Sequence, residues 1–167
     1  MRVGGALFLG APFGGLARGT EAAEISMRGD ASGSNVSFDP IGLHMEPGGS
    51  VRWTNRDQGN SHTATACHPS VDNHPLRIPS GAQPFDSDYL LPGESFALTL
   101  TIEGVYDYFC IPHEHAGMVG RIVVGRPRVD DQPYPSASNG AFGRLPTVRE
   151  IIAGRGKSFG PKTGSNE

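Results

Sequence analysis

The chain has 167 residues, of which 37% are hydrophobic and 19% charged, with 14 Lys+Arg against 17 Asp+Glu for a formal charge of -3. Its 24 Gly and 14 Pro argue against a helical bundle, and the size suits one domain with extensions. No stretch approaches the roughly 20 apolar residues of a membrane-spanning helix, and no basic surplus marks a nucleic-acid partner.

In chain order, residues 1–23 come first as an export signal or disordered arm: Arg2 is followed by the weakly apolar run VGGALFLGAPFGGLA and small residues at Ala17, Ala22 and Ala23. Export to the periplasm or an equivalent compartment is the expectation. Residues 24–125 form the predicted domain, built from short runs between turn residues: ISM, then NVSFDP, then SVRWTN, where Val51 and Trp53 alternate with Arg52 and Thr54. The stretch 66–92 shows no sustained period and reads as a long loop. In Ser95 to Ile102, Phe96, Leu98, Leu100 and Ile102 share one face, which predicts a strand central to the core. Glu103-Gly104 then leads into VYDYFC, predicted to be its antiparallel neighbour. A strand at Val119 to Val124 closes the domain.

Seven or so short strands with Gly and Pro turns predict an all-β fold, a β-sandwich with Greek-key connections. Residues 126–167 are a Pro/Gly-rich extension with 7 Lys+Arg against 4 Asp+Glu, whereas the part before it has 7 against 13. The acidic body should favour positively charged partners at low salt, and the basic extension could wrap that body or bind a partner or a second copy. One short helix is predicted at Pro146 to Ala153, where Leu145, Val148, Ile151 and Ile152 fall at helical spacing; it must pack on something or fray.

Chemistry concentrates in Tyr108-Phe-Cys-Ile-Pro-His-Glu-His-Ala-Gly-Met118, which sets Cys110, His113 and Met118 in the spacing C-x2-H-x4-M after a strand. His62 lies about 50 residues upstream, and sandwich topology can bring it to the same end of the fold. Thiolate and thioether beside two imidazoles suit copper in both oxidation states; a His2Cys plane with a weak axial Met is the arrangement of electron-transfer copper sites. Pro112 returns the chain, and Gly117 lets it bend toward Met118.

Other readings stand beside this one. Cys67 and Cys110, the two cysteines, would suit one disulfide in an exported chain, but pairing them removes the loop's thiolate. Cys67 is otherwise a buried thiol, or joins His68 and His74 in a second metal site or a gate for copper loading. His44 and Met45 read as surface and as packing near the copper end.

The stretches YFCIPHEHAGMVGRIVV, SVRWTNRDQGNSHT and FDSDYLLPGESF resemble, over approximately Val36 to Gly125, the small type 1 copper proteins, or cupredoxins, of the plastocyanin and pseudoazurin type. The resemblance implies a cupredoxin-like sandwich with one copper per chain held by His62, Cys110, His113 and Met118. It implies single-electron exchange with redox partners, a cytochrome or a copper enzyme, at an apolar patch around the His113 edge, and no substrate bond made or broken. Asn55 and the backbone around Thr63 are the candidates for fixing the His62 and Cys110 loops.

Three positions depart from the family. Thr63 stands where many relatives carry an asparagine tying the ligand loops together. Phe109 replaces a tyrosine that serves plastocyanins as a second electron route, with Tyr108 one place too early to face the same way. His115 adds an imidazole that either competes as a ligand or flanks the docking surface. Two other classes stay open: a copper-dependent enzyme with an open or inter-subunit site, to which His68, His74 or His115 would contribute, and a copper storage or delivery protein.

Overall fold

Alternating apolar residues define two sheets whose inner faces meet. A computed structural model describes residues 21–30, 34–127, 134 and 140–154; the expected export signal lies almost wholly outside the described residues. The strands are β1 (Ala23–Arg28), β2 (Ser37–Asp39), β3 (Gly42–Met45), β4 (Gly49–Asn55), β5 (Thr65–Ala66), β6 (Ser95–Leu100), β7 (Gly104–Phe109) and β8 (Val119–Val124). One sheet has the order β2-β1-β4-β6 and the other β3-β8-β7-β5, with β1 parallel to β4 and β3 parallel to β8. This is the expected all-β sandwich.

Between the sheets, Ile25, Met27, Val51 and Trp53 of the first join Tyr106, Tyr108, Ile122 and Val124 of the second in one core. Trp53 meets Tyr108 edge-on at 5.4 Å between ring centroids, and Phe38 does so at 4.7 Å. Such aromatic pairs add to the burial of their own area. Tyr108 lies opposite Gly120 across the β7–β8 ladder, and any side chain at 120 would collide with the tyrosine ring.

Two expectations about Ser95 to Ile102 are corrected. The strand is the edge of the first sheet, with Phe96 and Leu98 only half-buried, and not central to the core. Nor is it paired with the run that follows, since β7 belongs to the opposite sheet. The connection through Glu103 to Gly104, at φ +144°, carries the chain across the sandwich instead of folding it back as a hairpin.

The second sheet is covered on both faces, which is why every residue of β8 is buried. Its outer face carries three cross-strand pairs, Val105–Val123, Asp107–Arg121 and Phe109–Val119, so a charged pair sits between two apolar ones. The C-terminal extension matches that order. Ala141, Phe142 and Leu145 pack on Phe109 and Val119, the Pro146 carbonyl accepts from Arg121 at 3.1 Å, and Val148 and Ile151 pack on Val105 and Val123. Val148 and Ile151 belong to α1 (Val148–Ile152), shorter than predicted because Thr147 is its N-cap. The Thr147 hydroxyl accepts from the Glu150 N–H while Glu150 accepts from the Thr147 N–H, a capping box. Five residues cannot hold a helix alone; docking on β3 and β8 does so.

Candidate metal centre

Cys110 follows the last residue of β7 and is fully buried. Its N–H donates to the Met118 carbonyl at 3.0 Å, so the two strands are still tied where the loop leaves them. Between them runs a short 3-10 helix, Ile111–Ala116, with Pro112 in its first turn and Gly117 at its end. Gly117 has φ +93°, and the Arg144 guanidinium lies 2.7 Å from where a Cβ would sit, so glycine is required both by the backbone and by space. Inside the loop the His113 N–H donates to the Cys110 carbonyl at 3.0 Å and the Met118 N–H to the His113 carbonyl at 3.1 Å.

His62 reaches the same end from the other side of the sandwich. It exchanges backbone hydrogen bonds with Leu90 at 3.1 and 2.8 Å. The Asn55 amide donates to the carbonyls of Asn60 and Leu90 while its oxygen accepts from the Asp57 N–H, which fixes the run leading to His62. Thr63 does what the missing asparagine would do: its hydroxyl accepts from the Ile111 N–H at 2.9 Å and its own N–H donates to Cys110 Sγ at 3.3 Å.

Three donors converge as a result. His62 Nδ1 and His113 Nδ1 are 3.1 Å apart, and each is 3.6 Å from Cys110 Sγ. Among the described residues this is the one group of three or more His, Cys, Asp or Glu side chains close enough to hold a metal ion. Two imidazole nitrogens facing each other beside a sulfur form a soft donor set that fits copper and suits hard cations poorly. Met118 is fully buried in the same core as Cys110.

Burial pushes the Cys110 thiol above its ordinary range, against the opposing Thr63 N–H, so the thiol must lose a proton when metal binds. Burial also lowers His62, although its hydrogen bond to the Asp57 carboxylate opposes this; the imidazole stays neutral and available as a ligand. For Asp57, burial acts upward but is outweighed by the Asn60 side chain, the Gly59 N–H and His62, which hold the carboxyl below its ordinary range.

The sign for the metal-free protein follows from these shifts. His62 takes up a proton more readily unfolded than folded, so stability falls as pH drops below about 6.5. Asp57 is easier to protonate unfolded, so its contribution is lost in the carboxylate range below. The urea midpoint of the metal-free chain is expected to fall between pH 7.5 and 5, and His62→Gln to flatten that dependence.

Asp57 is the residue that sequence reasoning missed. It is 3% exposed, and its carboxylate accepts from His62 Nε2 at 2.9 Å. The signal available was a carboxylate five residues before the histidine in a loop otherwise assigned to Asn55. The remaining candidates separate. Cys67 and Cys110 are both free. Cys67 is buried against Phe109 and Val119, His68 bonds Ser70, and His74 bonds Glu114 and stacks on Phe109 at 4.0 Å; they do not form a metal group. His44 Nε2 donates to the Gly125 carbonyl at 2.8 Å, at the end of β8 remote from Met118. Met45 pairs with Val124 at that same end, so its expected place near the copper is corrected. His115 is exposed on the ligand loop.

A family model described as copper binding proteins, plastocyanin/azurin family, matches residues 23–125. A chloroplastic plastocyanin of Tetradesmus obliquus is 38% identical over 110 residues, covering 65% of this chain and 71% of that protein. One from Oryza sativa subsp. indica is 33% identical over 113 residues, covering 65% and 67%. Among solved structures, a pseudoazurin from Sinorhizobium meliltoi aligns with TM-score 0.50 at 28% identity, over 64% of this chain and 76% of that one.

Proposed function

The chain belongs to the plastocyanin/azurin family of copper-binding proteins, and from that premise we propose that it carries single electrons between redox proteins, with His62, Cys110, His113 and Met118 holding its copper. The observation that carries this reading is the meeting of Cys110 Sγ, His62 Nδ1 and His113 Nδ1 within 4.8 Å. When bound, copper supplies a one-electron couple between its +2 and +1 states.

The chain's own residues do the rest. Cys110 gives up its proton and is held by the Thr63 N–H. His62, fully buried, is locked between Leu90 and Asp57. His113 is only partly buried, while the other two donors are fully covered, so it is the donor nearest the outside. Tyr89 and Leu91, on either side of the His62-bonded Leu90, are 56% and 57% exposed and give this end an apolar rim for docking. The partner, a cytochrome or copper enzyme, meets that end. An exported location is part of the same proposal, supported by Arg2 and the apolar run after it. No helix among the described residues is long and apolar enough to cross a membrane.

The test is to load the full chain with Cu(II) and measure copper content, visible spectrum and voltammogram. One copper per chain, intense visible absorption and one reversible one-electron wave are expected. A colourless protein with its copper bound, or copper lost quickly to a weak chelator, would remove the carrier reading in favour of storage or delivery.

A further inference from the structure

We propose that Asp57 is a positioning residue that sets the reduction potential of the copper centre through His62, and that Gly29 is a glycine to make room for it. This rests on the reading of His62 as a copper ligand. His62 has two ring nitrogens: Nδ1 faces Cys110 and His113, and Nε2 lies 2.9 Å from Asp57 Oδ2. A ligating imidazole needs its lone pair at one nitrogen and a proton at the other, and a hydrogen-bond acceptor on the second nitrogen fixes that tautomer. Asp57 is such an acceptor, with a full negative charge.

The carboxylate is held in place from several sides. Oδ1 accepts from the Gly59 N–H at 2.8 Å, and Oδ2 also accepts from the Asn60 amide at 2.9 Å. His62 and Asp57 are both out of contact with solvent, so water cannot take over either role. Gly29, just beyond β1, supplies an independent observation. A Cβ there would fall on the Asp57 carboxylate, yet Gly29 is not among the glycines with positive φ. Its lack of a side chain is therefore explained by the space the carboxylate occupies and not by backbone conformation.

A buried negative charge one imidazole away favours the more positive of two metal states, and it strengthens the nitrogen as a donor. Both effects stabilise Cu(II) over Cu(I) and lower the potential. Removing the charge while keeping the side chain's size should reverse them.

The experiment compares three full-length, copper-loaded proteins: wild type, Asp57→Asn and Asn60→Ala. Asn60→Ala breaks a bond within the loop but leaves the carboxylate on His62, so it controls for loop geometry. Asp57→Asn is expected to keep its copper and visible band and to shift the redox equilibrium on the order of tenfold toward Cu(I), about 59 mV positive for a one-electron couple. Asn60→Ala is expected to keep the wild-type potential. An unchanged potential in Asp57→Asn, or an equal shift in both variants, would overturn the proposal. Wild type that bound copper without colour would instead defeat the reading of the site itself, so the two failures are told apart.

Discussion

Replacing Cys110 by Ser is expected to remove the intense visible absorption of the copper-loaded protein altogether. The colour of such a centre comes from the copper–thiolate bond, and Cys110 is the only sulfur among the three converging donors. A serine hydroxyl is a hard donor that does not ionise near neutral pH, so it cannot replace a thiolate toward a soft ion. Loss of an outer partner of a metal ligand costs 10–100-fold in affinity or activity; loss of the ligand itself should cost more. The fold should persist, because serine fills nearly the same volume and its oxygen can still accept from the Thr63 N–H that now bonds Sγ. Absorption spectroscopy with a copper assay, alongside urea unfolding of the metal-free form, checks both halves. A variant that kept the wild-type spectrum would show that Cys110 is not the ligand.

Asp107→Ala should be strongly destabilising, by about 3–5 kcal/mol. Asp107 is fully buried on β7 and accepts from two arginines: from Arg121 at 2.7 and 3.0 Å and from Arg77 at 3.0 and 2.9 Å. Its loss leaves two guanidinium groups buried beneath the extension without their carboxylate. Against a typical folding free energy of about 5–15 kcal/mol, that is a large share. The effect should reach the extension as well, since Arg121 also holds the Pro146 carbonyl and Arg77 lies over the rings of Tyr134 and Phe142. A lowered urea midpoint and faster protease cleavage within residues 140–154 are the expected results. Unchanged stability would mean that the buried charges are compensated elsewhere.

The proposed metal centre could be put forward from the sequence largely because its densest part is local. Cys110, His113 and Met118 occupy one strand-turn-strand loop, and donor chemistry together with the family resemblance indicated their common role. His62 needed the sandwich topology in addition. Asp57 was not legible, because its role depends on the orientation of the His62 ring and on the opening left at Gly29, which is distant in sequence. In the fold, Val51 and Trp53 of β4 and the limits of β8 followed from alternation and turn residues. Alternation in β6 misled for a definite reason: it reports which face of a strand is apolar, not whether another strand lies on each side. The short link through Gly104 likewise looks the same in sequence whether it closes a hairpin or crosses between sheets. The amphipathic character of α1 was visible, but its docking place was not. Val105, Asp107 and Phe109 alternate apolar and charged as any two-faced strand might.

The layered order on the outside of the second sheet also bears on where the polypeptide can be shortened. The match to the family model ends at residue 125, a natural place to trim for expression. A product ending there would bare Val105, Phe109, Val119 and Val123 together with the half-neutralised arginine pair. Contiguous greasy surface of that kind invites self-association. The smallest well-behaved fragment should therefore run at least to Gly154, so that the end of the family match and the boundary of cooperative folding are different places in this chain.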